Sequence, residues 1–548
     1  MPDERPTWPL ALSTTVVAGL VALPALSGSP SWLDRLALGI TGRPLEPQHA
    51  VVLSIALLLA ARGLLLRRRI AWYGLLAVIA LGMLAAASGA DPLWRLPLLG
   101  AAAGALWQFR GGLLVSPHPA RVRTAVRTGA AIVFVSLLGC VIIGDASVRS
   151  VGRDVFTGLG GAGLEDGALS LGGPPWLPAA LALLGGIGLI AILEILMAPA
   201  PPPPPGDDFE RRQISALVCH PESDTLAPFA LRHDKSYVFS PDRRAAIGYR
   251  VLFGVAAAGG DPVGDPRSYG AAIKEFLTLC GRMGWRPAVL GASAGHLPAW
   301  AGLRSIGFGD EVIIQLADFS LSGRQMRNVR QAVQRTHRAG VKTEVMAEGA
   351  LSPELRDALL EVASASLDGA AERGFSMNLD SMLTGRHPGC VVAVAYDEEA
   401  RPIAFQRYAS AGRALSLDAM RRIPDAPNGI NERLIVEMLE YAREQEVPEL
   451  SLNFAAFREL LDAADRGPLE QIGYRALHLL DPLIAVESLY LFDRKFRPSY
   501  RPRSVIFRSW ADIGWVAAAL LTLEFGRSRP AAPVAQPEPL PELSSERR

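Results

Sequence analysis

A faint internal repeat in the polar second half constrains this chain more than any other feature of its sequence. Each copy has a helical stretch, a short connection with a proline and then an apolar strand, and the copies lie about 160 residues apart. The matching stretches are Ile273–Leu277 with Ala288–Leu290 in the first copy, and Ile435–Leu439 with Leu450–Leu452 in the second. Each copy then reaches a second helix that ends in a Gly-aromatic pair, Gly307-Phe308 or Gly473-Tyr474. A repeat of this length and order predicts a duplicated α/β module rather than a short-period solenoid.

The first 197 residues are dominated by apolar runs. Several of these runs approach the ~20 residues that an α-helix needs to cross a bilayer. The six runs are Leu10–Leu26, Ala50–Leu66, Ile70–Ala87, Leu96–Trp107, Thr128–Ile143 and Trp176–Met197. Arginines cluster in the connections after the second and fourth runs, which places these connections and both chain termini in the cytoplasm. The sequence therefore predicts a membrane domain, residues 1–197, of about six transmembrane helices. Buried helices of a soluble protein are the alternative.

A change in composition marks the end of this domain. Residues 198–208 contain the five prolines Pro201–Pro205, which predict a stiff linker. Charged and apolar residues then alternate as in a soluble fold, and the repeat divides this part into residues 209–345 and 346–510. Residues 511–548 hold the apolar run Trp515–Leu523 and then a tail rich in Pro, Glu and Ser, which we expect to be disordered. The run is too short to span a bilayer, so we expect an interfacial or packing helix.

Several short motifs follow one another in the second half. They are Gly260–Asp265, Asp318–Arg324 with the arginine-rich stretch to Arg338, Arg373–Met377, Ser416–Arg422, Asp425–Gly429, Ser488–Phe492 and Lys495–Pro498. This set resembles the aminoacyl-phosphatidylglycerol synthases, the multiple peptide resistance factor family. The resemblance extends from about Asp207 to Trp510, and the six apolar runs resemble the membrane segment next to the synthase part. The further spans of the flippase part and the lysyl-tRNA synthetase of some relatives have no counterpart, so we do not expect lipid flipping by this chain alone.

The resemblance implies a fold and a reaction. The fold is a multi-span α-helical membrane domain followed by a cytosolic α/β (α+β) tandem GNAT-like acyltransferase fold, in which the second copy is catalytic. The reaction is transfer of an aminoacyl group, such as lysyl or alanyl, from aminoacyl-tRNA to a hydroxyl of phosphatidylglycerol. It takes place at the cytoplasmic face of a bacterial cell membrane and lowers the negative charge of the surface. One ester replaces another, so no metal or cofactor is expected, and aminoacyl-tRNA is the co-substrate.

The resemblance also places Asp418 and Arg421 in the catalytic groove. A carboxylate there would hold the α-ammonium group of the aminoacyl moiety or orient the attacking hydroxyl. The arginine would bind phosphate or polarise the ester carbonyl. A structural ion pair at a strand end is the alternative for both. Glu372 is a second candidate acid, with a solvated charge at a helix end as its alternative, and Ser376 follows it as a candidate substrate-binding residue.

Further candidate substrate-binding residues lie in two basic clusters and one turn. The formal net charge is only +1, so contacts with nucleic acid or anionic lipid depend on local clusters. The first cluster lies on a predicted helix and contains Arg324, Arg327, Arg330, Arg335 and Arg338, with His337. The second contains Arg494, Lys495, Arg497, Arg501, Arg503 and Arg508, interleaved with Phe496, Tyr500 and Phe507, and the turn has Asn428 and Gly429. Both clusters suit tRNA phosphates or lipid head groups, with a solvated face as the alternative. For Asn428 and Gly429 the alternative is an ordinary turn that binds no substrate.

Three hypotheses therefore stand side by side. The first is tRNA-dependent aminoacylation of phosphatidylglycerol. The second is aminoacylation of another lipid, such as diacylglycerol, on the same scaffold, and the third is a non-catalytic membrane protein that binds lipid or RNA. The joint presence of Asp418, Arg421, Asn428 and Lys495 favours an enzyme. The amino acid that is transferred depends on pocket geometry, which the motifs do not specify.

Overall fold

A computed structural model of the chain describes residues 7–26, 31–42, 47–89, 91–113, 115–142, 177–367, 375, 378–379, 382–387, 389–456 and 491–526. The chain divides into two compact units. The helical unit comprises Met1–Pro201 with Leu279–Trp285, and the sheet unit comprises Pro202–Thr278 with Arg286–Arg548.

The helical unit contains a helix at each of the six predicted apolar runs. Its described helices are α1 (Trp8–Leu26), α2 (Ser31–Thr41), α3 (Pro47–Leu65), α4 (Arg69–Ala87), α5 (Arg95–Gln108), α6 (Pro119–Ile142) and α7 (Leu177–Met197). The six runs are therefore helical as predicted. The sequence reasoning missed α2, because a helix of 11 residues is too short to stand out as a membrane span.

Length and composition single out two of these helices as able to cross a bilayer. They are Arg69–Ala87 and Pro119–Gly139, whereas Trp8–Leu23, Ala50–Leu65 and Leu183–Met197 are apolar but shorter. Helix α5 has 14 residues. At ~1.5 Å per residue it is roughly 21 Å long, which is less than a ~30 Å hydrocarbon core. A six-span membrane domain thus stays a prediction.

The last apolar helix carries an acidic residue, Glu194, which forms an ion pair with Arg62 of α3. A charge on an apolar helix is costly unless it is paired or solvated, and both side chains are also partly exposed. The pair therefore has a structural explanation within the helical unit.

The sheet unit is built on one mixed sheet. Its helices are α8 (Asp208–Val218), α9 (Tyr269–Met283, of which the residues from Leu279 on belong to the helical unit), α10 (Arg327–Arg338), α11 (Pro353–Leu367), α12 (Ile430–Glu444) and α13 (Ile513–Phe525). Its strands are β1 (Ser236–Phe239), β2 (Ala245–Leu252), β3 (Val255–Gly259), β4 (Val263–Gly264), β5 (Arg286–Ser293), β6 (Arg304–Gln315), β7 (Lys342–Ala347), β8 (Val391–Tyr396), β9 (Pro402–Ala411), β10 (Ala414–Arg422), β11 (Glu449–Ala456) and β12 (Ser499–Phe507). The strand order is β1-β2-β3-β5-β12-β6-β11-β10-β9-β8-β7, and β4 pairs with β2.

Two similar halves make up this sheet. In the first half β3 pairs with β5 in parallel across α9, and in the second half β10 pairs with β11 in parallel across α12. The last strand of each half joins the other half, because β6 pairs with β11 and β12 pairs with β5. Strands β6 and β12 also pair with each other in the middle. The helix-then-strand order of the predicted repeat is confirmed.

The two halves also share an irregularity. The pairing of β5 with β12 shifts register around Gly291, and the pairing of β11 with β6 shifts around Asn453. Both residues have positive φ, 87° and 75° respectively. Glycine adopts this conformation freely and asparagine tolerates it better than most residues. Each half therefore has a bulge in the strand that follows its central helix, which bends that strand away from its parallel neighbour.

One part of the predicted repeat is wrong. Gly307 and Phe308 lie inside β6 rather than at the end of a helix. A 3₁₀ segment, Ala294–Trp300, takes the place of that helix, and Pro298 within it lacks the N–H that a longer helix would need. The corresponding Gly473-Tyr474 lies outside the described residues.

The apolar run Trp515–Leu523 is helical, as predicted, and belongs to α13. One face of α13 packs through Val516, Ala519 and Leu523 against the first half of the sheet and against Phe375. In the second half, the apolar face of α12 occupies the middle of the largest core. The packing of these two helices fixes the sheet on which the candidate site lies.

Candidate active site

The candidate site lies where β10 and β11 separate. Their parallel pairing is limited to Leu415 with Leu450 and Ser416 with Ser451. Strand β10 then has a bulge against β9 between Leu417 and Ala419, and the bulged residue is Asp418. On the other side the Asn453 amide donates a hydrogen bond to the Leu417 carbonyl. A bulge changes the direction of a side chain, and here it directs the Asp418 carboxylate into the protein.

Arg407 of β9 holds Asp418 in a buried three-residue ion cluster. The Arg407 Nη1 atom lies 2.8 Å from Asp418 Oδ2, and its Nε lies 2.5 Å from Glu348 Oε2. All three side chains are buried, with at most 1% exposed. Further hydrogen bonds to its remaining atoms help to stabilise such a cluster. The Gly385 N–H donates to Glu348 Oε1 at 2.8 Å and thus supplies one of these bonds.

The second carboxylate oxygen of Asp418 accepts a hydrogen bond from the Leu379 N–H at 2.6 Å. Burial raises the pKa of Asp418 above its usual value, while Arg407 and this hydrogen bond act in the opposite direction. Both oxygens of Asp418 are thus used inside the protein. This arrangement matches the ion-pair alternative for Asp418, although its partner is Arg407. Arg421 is half-buried and donates to the Met420 carbonyl at 2.9 Å.

Asp418 binds a short stretch of chain whose described residues are Phe375, Asn378 and Leu379. Leu379 is bound by Asp418, and the Asn378 carbonyl accepts from Arg232 at 3.0 Å. Phe375 is fully buried, and its N–H donates to Glu524 of α13 at 3.2 Å. Glu372 and Ser376 lie outside the described residues, so their roles stay predictions. Three separate elements therefore anchor the described residues of segment 375–379.

The amino-terminal end of α12 holds the predicted turn. Gly429 has φ 103°, and a Cβ atom placed on it would lie 2.9 Å from the Ala332 Cβ of α10. Only glycine permits this close approach of the two helices. Asn428 is exposed beside it. The ordinary-turn alternative thus fits Gly429, which packs on α10, while Asn428 remains open to a ligand.

Lys495 also reaches the first turn of α12. Its Nζ lies 2.8 Å from Glu432 Oε1 and 4.9 Å from the centre of the Phe492 ring. Arg497 is exposed and has a left-handed backbone, φ 55°, at the end of the same 3₁₀ turn. The structure thus brings Asn428, Gly429 and Lys495 together at one helix end, with α10 beside them.

The first basic cluster divides into two kinds of residue. Arg324 and Arg327 are exposed at the start of α10. Arg330 instead turns back, and its Nη1 donates to the Gly323 carbonyl at 2.7 Å and also to the Leu321 carbonyl. The exposed arginines present charge to solvent, whereas Arg330 fastens the loop before its own helix.

The prediction that Arg503 offers its charge to substrate phosphates is wrong, because this residue belongs to a second buried ion cluster in the centre of the sheet, which sequence reasoning missed. Arg503 of β12 is fully buried and forms an ion pair with Asp224 at 2.9 Å and another with Glu311 of β6. Glu311 also accepts from Ser451 of β11 at 2.6 Å, so the cluster ties both halves together. The sequence does carry one indication of both buried clusters, the one at Arg503 and the one at Arg407. Each has a charged residue inside an apolar strand, and such a residue needs a partner of opposite charge when it is buried.

A histidine lies at one edge of this second cluster. His296 Nδ1 is 3.0 Å from Asp261 Oδ2, and this hydrogen bond raises the pKa of His296 above its ordinary value. The Asp261 carboxylate also accepts the Ser293 N–H at 3.1 Å. Asp261, within the Gly260–Asp265 motif, therefore orients a histidine beside β5.

Comparison with known proteins identifies the sheet unit. The family model described as "Phosphatidylglycerol lysyltransferase, C-terminal" matches residues 215–507. The MprF-like domain protein Rv1619 of Mycobacterium tuberculosis is 39% identical over 397 residues, which are 69% of this chain and 81% of that protein. The lysylphosphatidylglycerol biosynthesis bifunctional protein LysX of Gordonia bronchialis is 36% identical over 359 residues. Those residues are 64% of this chain and 32% of LysX, so this chain spans about a third of that relative.

A solved structure supports the fold. The C-terminal domain of a putative lysylphosphatidylglycerol synthetase from Agrobacterium fabrum superposes with a TM-score of 0.52 at 23% identity. The match covers 59% of this chain and all of that domain. The sheet unit therefore has the mixed-sheet, GNAT-like fold of such synthetase domains, as the resemblance implied.

Proposed function

The chain belongs to the family described as phosphatidylglycerol lysyltransferase, C-terminal, and on that premise we propose that it is a membrane-bound aminoacyltransferase that uses aminoacyl-tRNA to modify phosphatidylglycerol. The observation that carries this proposal is that the family match, residues 215–507, contains the whole candidate site. The sheet unit acts as a tandem pair of GNAT-like modules, residues 209–345 and 346–510, with the reaction in the second. The helical unit anchors this pair at the cytoplasmic face of a bacterial cell membrane.

The reaction is an exchange of esters. A hydroxyl oxygen of the lipid glycerol attacks the carbonyl carbon of the aminoacyl ester, and the bond from that carbon to the ribose oxygen of tRNA breaks. The lipid hydroxyl loses a proton and the ribose oxygen gains one, so the reaction needs no net proton, oxidant or reductant. The protein must position two large substrates and stabilise the oxyanion that forms on the carbonyl.

Asp418 serves this reaction as a positioning residue. Its two oxygens bind Arg407 and the Leu379 N–H, so it fixes segment 375–379 against β9 and β10. Glu372 and Ser376, which lie near Phe375 in the sequence, act on the substrate. Arg421 lies three residues beyond Asp418 on the same strand and binds phosphate or the ester carbonyl.

The charged groups around α12 and α10 bind the substrates' phosphates. Lys495, next to the exposed Asn428, binds the lipid phosphate or the acceptor end of tRNA. The exposed Arg324 and Arg327 give α10 a basic face that suits the tRNA backbone. Arg497 extends the basic surface beside Lys495. Transfer of a cationic aminoacyl group then reduces the negative charge of the leaflet and weakens its attraction for cationic peptides.

Membranes that contain the chain, incubated with labelled aminoacyl-tRNAs and then extracted for lipids, test the proposal. We expect label in phosphatidylglycerol, and we expect Asp418→Ala to abolish it while the protein still inserts into the membrane. Glu399→Ala, which removes an exposed carboxylate in the turn between β8 and β9, is the matched control and should retain activity. Label in another lipid would contradict phosphatidylglycerol as the acceptor, and the absence of label from all lipids would contradict the enzyme activity itself.

A further inference from the structure

One edge of the first half of the sheet is unusually aromatic and basic. Strand register places the starts of β3, β5 and β6 and the end of β12 at this edge, because Val255 pairs with Arg286 and Phe507 pairs with both Ala288 and Arg304. Helix α13 begins a few residues after β12 and starts at the same edge. The residues that define this surface, here called the aromatic edge, are Phe253, Arg286, Arg304, Arg508, Trp510 and Trp515.

The aromatic side chains of this edge face outward. Phe253 is 52% exposed at the tip of the β2–β3 hairpin, and Trp510 and Trp515 are 59% and 53% exposed. Leu521, 44% exposed, is a further apolar residue on the solvent side of α13, more than one turn beyond Trp515, while the inner face of the helix packs on the sheet. Single exposed apolar residues are common, but a contiguous group of this kind marks a contact surface.

Contacts join the members of the edge. Arg286 donates its backbone N–H to the Gly254 carbonyl at 2.8 Å, directly beside Phe253. The Arg286 guanidinium lies 5.5 Å from the centre of the Trp515 ring and 2.9 Å from Asp512. The rings of Phe507 and Trp510 are 5.3 Å apart at an angle of 69°. The edge is therefore one surface built from the β2–β3 hairpin, β5 and the β12–α13 connection.

The charge of the edge is positive. Asp512 pairs with Arg286, whereas Arg304 and Arg508 are exposed and take part in none of the ion pairs among the described residues. Tryptophan and arginine together favour the boundary between lipid head groups and acyl chains, where the ring is half-buried and the cation meets lipid phosphate.

The carboxyl ends of β10 and β11 point toward the end of the sheet that carries the aromatic edge. Strand β11 runs antiparallel to β6, so its end at Ala456 pairs with Gly309 near the start of β6. The stacked rings of Phe308 and Phe454, 5.0 Å apart, connect the two halves there. Strands β10 and β11 thus run toward the end of the sheet that carries the aromatic edge.

We propose that the aromatic edge docks on the surface of an anionic phospholipid bilayer and holds the sheet unit against it. Two of the chain's own apolar helices are long enough to cross a bilayer. A chain held in a bilayer in this way always has a lipid surface on which to dock. Docking places Trp515 and Leu521 among the head groups and Arg304 and Arg508 next to lipid phosphates. It goes beyond the proposed function, because it holds whichever lipid, if any, accepts an aminoacyl group.

Photo-crosslinking of the full chain in bacterial membranes tests this docking. p-Benzoylphenylalanine is placed at Trp515 or Leu521, and, as the matched control, at Leu360, which is 41% exposed on α11 of the same unit. We expect mass spectrometry to find phospholipid adducts at positions 515 and 521, at a yield at least several-fold above position 360. Equal yields at the three positions, adducts with another polypeptide instead of lipid, or no adducts would each overturn the proposal.

A charge-reversal series tests the basic component separately. The Trp515 probe is combined with Arg304→Glu and Arg508→Glu in proteoliposomes that contain phosphatidylglycerol, and Arg413→Glu, an exposed hairpin residue of the second half, is the control. The paired reversal should lower the adduct yield several-fold and the control should not. An unchanged yield in the paired reversal would contradict electrostatic docking. Crosslinking needs no turnover, so its outcome is independent of transferase activity.

Discussion

Removal of the Arg407 side chain by Arg407→Met should damage the sheet unit more than removal of either charge that it binds. Arg407 lies between two buried carboxylates, at 2.8 Å from Asp418 and 2.5 Å from Glu348. The substitution leaves both carboxylates without their cation, which costs at least about 3–5 kcal/mol. Asp418→Asn leaves one arginine with one carboxylate and weakens two hydrogen bonds, a cost of about 1–3 kcal/mol. We expect the melting temperature of Arg407→Met to fall by roughly 6 °C or more.

The pH dependence of the same variant gives a second, independent signature. The folded-state pKa of Asp418 is already raised by burial, and Arg407 is the strongest of the groups that oppose that rise. A group with a raised folded pKa contributes stability that is present below its unfolded pKa of about 3.9 and is lost as the pH rises through the folded pKa. Without Arg407 the folded pKa rises further, so the loss extends to higher pH. Arg407→Met should therefore be clearly more stable at pH 5 than at pH 8, with a steeper slope than the unmodified chain.

Thermal unfolding of the full chain in detergent, followed by tryptophan fluorescence at several pH values, measures both effects. Arg401→Met, which removes an exposed arginine that pairs with Asp397 on the same sheet, is the control and should leave the melting temperature unchanged. Combining Arg407→Met with Glu348→Gln and Asp418→Asn should restore part of the loss, because no buried charge then lacks a partner. The reasoning fails if Arg407→Met is no worse than Asp418→Asn, or if its stability does not depend on pH.

Three further substitutions test other parts of the sheet unit. Gly429→Ala should destabilise the chain by about 2–5 kcal/mol, because the alanine would have a strained positive φ and would clash with α10. Gly281→Ala, which has open space around it, is the control and should not destabilise the chain. Equal melting temperatures of the two variants would contradict the close approach of α10 and α12. His296, whose folded-state pKa is raised, contributes stability that is present below about pH 6.5 and is lost as the pH rises through that folded pKa. His296→Gln should remove this contribution. The melting temperatures at pH 6 and pH 8 should therefore differ less for the variant than for the unmodified chain. Lys495→Met should lower the rate of transfer roughly tenfold or more, and Lys495→Arg should restore much of it; a normal rate in the methionine variant would remove Lys495 from substrate binding.

Much of the fold follows from patterns that a sequence carries locally. The apolar runs predict the helices of the helical unit, and the repeated helix-then-strand order predicts the pairs α9 with β5 and α12 with β11. Gly307 was misassigned because a Gly-aromatic pair occurs both at the end of a helix and inside a strand, and the short sequence around it does not distinguish the two. The exchange of β6 and β12 between the halves could not be predicted, since strand pairing depends on contacts between residues far apart in sequence.

Only part of the candidate site could likewise be predicted from the sequence. Family resemblance led to Asp418, and the bulge that turns its side chain inward became visible only with the pairing of β9 and β10. Arg407 and Glu348 were missed, because their partners lie on separate elements and no spacing along the chain connects them. Lys495 was predicted as a basic site residue, whereas its ion pair with Glu432 across 63 residues was not.

The central claim is that the aminoacyl group passes from tRNA to phosphatidylglycerol on this chain. Its most direct test reconstitutes the purified full chain in vesicles that contain phosphatidylglycerol and adds tRNA charged with a labelled amino acid, one amino acid at a time. We predict labelled phosphatidylglycerol that appears with at least one charged tRNA and requires both the tRNA ester and the lipid. Label that stays on tRNA or is released as free amino acid, with phosphatidylglycerol unlabelled for every amino acid, would contradict the claim.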